Sequence, residues 1–314
     1  MKKKLRILLI SSLFLVILIG CIVKFCKAED KPKVVVVLKD FNSEYWEITK
    51  AGVEKGFRDF DVDGKVIAPK DGTVESQRDM LENVLKEKPD VLIVSPTSPD
   101  RIIPVLEKFV KKNIPVLLLD TYDPWKDKTA YIGTDNLNLG RIAGELLASH
   151  LQPGDEAALI GGDIPVIGKR IEGAKMSLEA AGIKIATEKV GLSDHAEITK
   201  KAMETILRDD PDVKGIITTN DIVAVDALKV IKEHGLKIPV IGADGIIKMI
   251  KLIEDGTLTD TVAQNPYDMG YLSIETALKV IKGEDVKKNI DTGVDVISQD
   301  NAKLKLDFLK GLVK

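Results

Sequence analysis

Seven short apolar runs punctuate this chain, and each stops at a small cluster of polar residues. They occupy positions 34–38, 91–94, 116–119, 157–160, 215–217, 239–242 and 261–263. Continuous runs of this kind mark strands buried on both faces, which is the condition of a parallel sheet. Four of the runs end on a side chain able both to fix and to read a hydroxyl group: Asp120, Asn220, Asp244 and Gln264. Open parallel sheets bind ligands outside the carboxyl ends of their strands. These polar residues therefore stand where a polyhydroxylated small molecule would be held.

Between the runs the pattern becomes helical. Helices are expected over 44–60, 74–88, 100–112, 138–151, 168–182, 196–208, 222–234, 246–255 and 269–282. In the third, Ile102, Val105, Leu106 and Phe109 share one face, and Lys108, Lys111 and Lys112 line the other. Pro104 is expected near its first turn, where proline is tolerated. Strands alternating with helices of about 10–15 residues indicate βαβ units and a parallel sheet. With 314 residues the chain can build two cores, each served by about six strands. Crossovers between two lobes are expected near 132–134 and 265–266, and 290–298 reads as one strand before a helical tail rich in Lys and Leu.

Charge argues against nucleic acid as a partner. The formal charge is −3, and without the four cations Lys2, Lys3, Lys4 and Arg6 it becomes −7, so no basic face is indicated. Those cations begin a segment with the build of a secretory signal: a basic start, an apolar stretch over 7–19, then Gly20-Cys21. Leu18-Ile19-Gly20-Cys21 resembles the bacterial lipobox, which implies lipidation of Cys21 and a membrane-anchored, exported protein. Cleavage near Ala28 and an uncleaved anchor are the other outcomes that fit. Cys21 and Cys26 are the only cysteines, so the body after residue 30 has no disulfide, and a pair of this spacing without a nearby histidine is no metal site.

Catalysis finds little support. The stretch 162–170 has a superficial likeness to a phosphate loop, but Arg170 stands where Ser or Thr would hold magnesium. No nucleophile elbow is present, and His150, His195 and His234 are scattered. No catalytic residue, metal or cofactor is expected.

Taken in order, several short motifs resemble the sugar-binding proteins of the type I periplasmic class, which includes ribose, allose and galactose binders. They are the segment 34–46, Ser95-Pro96-Thr97, 114–120, Gly133-Thr134-Asp135-Asn136, Arg170-Ile171-Glu172-Gly173, Thr219-Asn220-Asp221, 241–245 and 263–266. The resemblance covers nearly everything after Pro32. It implies an α/β fold of two doubly wound parallel-sheet lobes joined by a three-segment hinge, with ligand in the cleft. It divides the chain into a signal or tether over 1–30, a first lobe of 31–134 plus 265–292, and a second of 135–264 plus 293–314. It also implies a monomer that captures a monosaccharide or polyol and delivers it to an ABC permease. The alternative is presentation of the closed form to a sensor kinase or chemoreceptor. A repressor of the lactose type shares this fold, but here a signal segment occupies the place of its DNA-binding helices.

The residue types suit sugar chemistry. Each hydroxyl buried without a partner costs about 1–3 kcal/mol. Asp offers two acceptors, Asn and Gln a donor and an acceptor, and Arg a fixed fork of donors. By the resemblance, Asp120, Asn220, Asp244 and Gln264 are the polar contacts, Arg170 a second-lobe contact, and Tyr45 and Trp46 the aromatic platform beside Ser43. Asp135 and Asp221 are read as capping or structural. The chain also departs from its relatives. Thr121 stands where the ribose binder has an arginine, Lys39 stands where small polar residues are commoner, and Asn42 is a substitute for the usual asparagine. No second-lobe aromatic is evident. Asp194 and His195 lie in its place, and Trp125 is the other candidate wall.

Overall fold

The computed structural model describes residues 31–162, 166–192 and 195–312. The signal segment with Cys21, and Asp194, lie outside the described residues.

In chain order the elements are β1 (Lys33–Val37), α1 (Glu44–Asp59), β2 (Asp63–Ile67), α2 (Val74–Glu87), β3 (Val91–Val94), α3 (Pro99–Val110), β4 (Val116–Leu119), β5 (Ala130–Gly133), α4 (Asn136–Ala148), β6 (Glu156–Gly162) and α5 (Ile167–Ala180). There follow β7 (Lys184–Leu192), α6 (Ala196–Asp209), β8 (Val213–Thr218), α7 (Asp221–Glu233), β9 (Val240–Ile241), α8 (Ile247–Glu254), β10 (Asp260–Ala263), α9 (Pro266–Ile281), β11 (Asn289–Asp291), β12 (Asp295–Ser298) and α10 (Gln299–Leu312).

The first lobe is a six-stranded parallel sheet in the order β11-β5-β4-β3-β1-β2. Its central strands β3 and β4 are buried along their whole length. Alternation divides their side chains between two layers. Val34, Val36, Ile93, Leu117 and Leu119 pack with Trp46 and Val53 of α1 and Met269 and Ile274 of α9, while Val35, Val37, Leu92, Val94 and Leu118 pack with Leu81, Ile102 and Phe109 of α2 and α3. Each such aliphatic side chain gains about 1.5–3 kcal/mol from burial. The second lobe repeats the plan with β7-β6-β8-β9 in parallel, beside an antiparallel pair of β10 and β12.

The expected α/β architecture of two parallel-sheet lobes is therefore found, with differences in detail. Edge strands β2 and β7 carry a polar, half-exposed pattern, so no apolar run announced them. The stretch 290–298 is two strands instead of one. β11 pairs parallel with β5 in the first lobe, and β12 pairs antiparallel with β10. Gly293, at φ 77°, makes the break in a region of backbone that other residues rarely adopt. Pro104 falls inside α3, past its first turn, and withholds an N–H from the helix.

Each lobe has one helix crossing too close for side chains. A Cβ on Gly52 of α1 would lie 2.0 Å from the Tyr267 carbonyl oxygen of α9, and one on Gly270 would lie 2.2 Å from that of Thr49. In the second lobe a Cβ on Gly140 of α4 would lie 2.0 Å from the Arg170 carbonyl oxygen of α5, and one on Gly173 would lie 2.1 Å from that of Leu137. These crossings seat the helix that carries Tyr45 and Trp46, and the helix that carries Arg170.

Candidate functional site

The strand ends of the two lobes face one another, and side chains that follow them join in one polar network. In the first lobe Asp120 comes directly after β4 with φ 63°. The Thr121 N–H donates to the Leu119 carbonyl at 2.6 Å, closing a three-residue turn of the rare positive-φ kind. Strand β5 pins this turn from the side. The Asp120 N–H donates to the Ile132 carbonyl (2.8 Å), and the Tyr131 hydroxyl donates to the Asp120 carbonyl (3.0 Å). Backbone held in such a region costs on the order of 1–3 kcal/mol and is typical of functional turns.

Helix α1 brings the partners of Asp120. Before it, the Asp40 carboxylate accepts from the N–H groups of Asn42 (2.7 Å) and Ser43 (3.0 Å), and Ser43 is the N-cap residue. The Tyr45 hydroxyl donates to Asp120 Oδ1 at 2.6 Å and lies 3.5 Å from Gln264 Oε1. Burial, then the charge of Asp120, raises the Tyr45 pKa well above its ordinary value, so the phenol keeps the proton it donates. Trp46 is 6% exposed and belongs to the apolar layer of the first lobe, edge-on to Tyr45. The Lys39 ammonium sits 5.5 Å from the Trp46 ring centroid and 3.9 Å from Asp120 Oδ2. Burial lowers the Lys39 pKa, and the charges of Asp120 and Asp40 oppose that shift.

In the second lobe Asp244 follows the short strand β9. Its loop is gripped by the buried carboxylate of Asp221, which accepts from the N–H groups of Ala243 (2.8 Å), Asp244 (3.2 Å) and Ile246 (2.9 Å). In return Asp244 Oδ2 accepts from the Asp221 N–H at 3.0 Å. Burial and the neighbouring charge of Asp244 push the Asp221 pKa up to about 7, while its three N–H donors pull it down. Arg170 Nη1 lies 3.5 Å from Asp244 Oδ1. That guanidinium is fixed by bonds from Nη1 to the Thr219 carbonyl (2.6 Å) and from Nε to Asn136 Oδ1 (2.8 Å). Asn220 caps α7, its Oδ1 accepting from the Val223 N–H at 2.8 Å.

Gln264 ties the two halves together. Its Oε1 accepts from the Thr134 hydroxyl at 2.8 Å, and its Nε2 donates to Asp244 Oδ1 at 2.9 Å. Tyr45, Asp120, Gln264, Asp244 and Arg170 thus form a continuous series. Next to it, the Glu44 carboxylate accepts from the Ile247 N–H at the start of α8, and Ile48 packs into the apolar cluster of the second lobe with Ile250 and Leu306.

The remaining expected residues lie differently. Thr121 is buried, its hydroxyl 3.3 Å from both Ser95 Oγ and Asp120 Oδ2. His195 is exposed at the N-cap of α6. Trp125 packs with the layer under α2 and α3, apart from Trp46, so the structure does not bring it to the network. Asp135 caps α4 through the N–H groups of Leu137 and Asn138. Thr134, Asn136 and Ser95 belong to the motifs named above but were given no site role there, and the structure joins them to the network. The signal was available, since each follows a strand that ends in this region. Thr134 and Asn136 also line a cavity of about 790 Å³ beside the network, shared with Tyr122, Tyr131 and Leu137. Among the described residues no cluster of His, Cys, Asp or Glu fits a metal ion, and no helix is long and apolar enough to cross a membrane.

Residues 34–285 match the periplasmic binding protein domain. The chain belongs to the periplasmic binding protein family. The binding protein is 28% identical over 271 residues to the D-ribose/D-allose-binding protein of Pseudomonas aeruginosa, covering 81% of this chain and 84% of that one. It is also similar to a solved periplasmic solute-binding protein of an ABC transporter from Actinobacillus succinogenes with bound D-allose. That similarity has a TM-score of 0.79 and 26% identity, covering 87% of this chain and 100% of the other. A glucose-galactose binding protein from Geobacillus stearothermophilus matches with the same TM-score of 0.79 and 26% identity, over 87% and 99% of the two chains. The resemblance drawn from the motifs is borne out. The family is one of solute-binding proteins, and its members act outside the cytoplasmic membrane.

Proposed function

We propose that this binding protein captures a monosaccharide or similar polyol between its lobes and delivers it to an ABC importer. One observation carries the reading. A connected set of hydroxyl-reading groups, Tyr45, Asp120, Gln264, Asp244 and Arg170, spans both lobes at the carboxyl ends of their strands. The ligands in the names of similar proteins, allose and galactose among them, support the class. Asp120, Tyr45 and Trp46 receive the sugar from the first lobe, with Lys39, Asn42, Ser43 and Thr121 around them. Arg170, Asn220 and Asp244 close from the second, and Gln264 closes from the hinge.

The lobes divide as the resemblance implies, with segments crossing near 134, 265 and 292. Ligand contacts made only in the closed state shift the equilibrium toward closure, and the closed surface is what a permease reads. Lipid on Cys21 tethers the protein, and loss of lipid labelling in Cys21→Ala is the check on that part. The central test is a thermal-shift screen of residues 31–314 against pentoses, hexoses and polyols. A saturable rise in melting temperature with at least one sugar is expected. No shift and no change in scattering radius with any of them overturns the reading.

A further inference from the structure

We propose that Lys39 is a specificity-determining residue, and that the Lys39–Asp120 pair reads a single ligand hydroxyl as both acceptor and donor. This rests on the sugar reading above. The Lys39 side chain is only 22% exposed, yet among the described residues its ammonium has no hydrogen-bond acceptor. Its nearest charged atom, Asp120 Oδ2, is 3.9 Å away, which is beyond a hydrogen bond. Asp120 Oδ1 is occupied by Tyr45 at 2.6 Å, whereas Oδ2 has only the long contact of 3.3 Å from Thr121. So an ammonium lacking an acceptor stands 3.9 Å from the less occupied oxygen of the carboxylate.

An oxygen about 2.8 Å from both Lys39 Nζ and Asp120 Oδ2 can bridge the two from the side, at the apex of a triangle. It must accept from the ammonium and donate to the carboxylate. A hydroxyl does both. A carboxylate oxygen has no proton for Asp120, and an ammonium has no lone pair for Lys39. The same logic holds on the far side of the network, where Arg170 and Asp244 are 3.5 Å apart. Asp120 and Asp244 thus each stand beside a cation of their own lobe. Thr121 turns its hydroxyl to Ser95 and Asp120, so the cation beside Asp120 comes from the strand-β1 side of the site. A point charge over Trp46 thus stands in for a guanidinium fork, and it engages one hydroxyl where a fork engages two.

The test compares wild type with Lys39→Met, which keeps the apolar stem over Trp46, and with Lys39→Gln. Calorimetry would use whichever of D-ribose, D-allose, D-galactose or D-arabinose binds the wild type, together with its monodeoxy forms. Unfolding midpoints without sugar establish that both variants fold. The Met variant is expected to bind about 10- to 100-fold more weakly, the range for losing a hydrogen bond to a charged group. One deoxy sugar that is penalised in the wild type should lose most of its penalty in Lys39→Met. Affinity within about twofold of wild type, or weaker binding with every deoxy penalty unchanged, overturns the inference while leaving the sugar reading intact. A wild type that binds none of these sugars removes both.

Discussion

Asp120 and Asp244 occupy equivalent places at strand ends in the two lobes, each with a cation within 4.0 Å, yet they are held by different means. Asp120 is set by its own backbone, a strained turn at φ 63° locked against β5. Asp244 is set by another side chain, the Asp221 carboxylate that gathers three N–H groups of its loop. The first arrangement is local, made by the backbone of the turn and the strand beside it. The second depends on a buried acid next to a second acid, so it is sensitive both to substitution and to proton concentration.

The largest break in this comparison should come from Asp221→Ala. It leaves three N–H donors without their acceptor in a buried turn, and a loss of about 3–5 kcal/mol is expected. Urea denaturation at neutral pH measures it. Sugar binding should fall with stability, because the loop that presents Asp244 is freed.

Acidity probes the same side without removing an atom. The Asp221 pKa in the fold, raised to about 7, lies above that of the unfolded chain, so the folded state holds the proton more tightly. The stability from this group is complete below the unfolded value, about 4, and is lost as pH rises through the folded value. A decline on the order of 1–3 kcal/mol is expected across that window. Exposed carboxylates such as Asp71 are pulled down by their hydrogen bonds and trend the opposite way. The decisive measurement is therefore a difference between two proteins. Asp244→Asn removes the neighbouring charge, and its urea midpoints between pH 4.5 and 7.5 (about the window above) should fall less steeply than those of the wild type. Equal slopes would show that Asp221 titrates independently of Asp244.

The helix crossings sharpen the contrast. Gly52→Ala and Gly140→Ala meet backbone at the same 2.0 Å, and each should cost about 1–3 kcal/mol. Gly140 presses on the residue that carries the guanidinium, so its variant should also weaken sugar binding. Gly52 opposes α9 at Tyr267, about two turns along α1 from Tyr45, so its variant should weaken binding less than Gly140→Ala does.

Much of this was legible in the sequence for one physical reason. Strands buried on both faces must be apolar throughout, so β1, β3, β4, β6, β8, β9 and β10 announced themselves, and the polar residues after them marked the site. Strands with an exposed face did not. β2 and β7 mix charged with apolar residues, and β5, though buried, has Tyr131 and Gly133 in place of a continuous aliphatic run. The division of 290–298 depended on a glycine dihedral. Residue types at the site could be read, but their pairings could not. Tyr45 meets Asp120 across 75 positions, and Thr134 meets Gln264 across 130. Nor does alternation along β1 reveal that the Lys39 ammonium lies between a tryptophan and a carboxylate.

Tyr45→Phe is the smallest perturbation and tests whether the locally built half is as self-sufficient as its backbone suggests. The hydroxyl donates to Asp120 at 2.6 Å, and removing it leaves one carboxylate oxygen without its short bond. Lys39 and Thr121 remain beside the other oxygen, and the turn is still closed by Leu119 and Ile132. A stability loss of about 1 kcal/mol is expected, near the cost of a single hydrogen bond to a charged group that keeps its other partners. Binding should weaken by a similar amount, about fivefold. A loss as large as that of Asp221→Ala would mean that Tyr45, and not the strained turn, is what holds Asp120 in the cleft. The two lobes would then build their carboxylates by the same means.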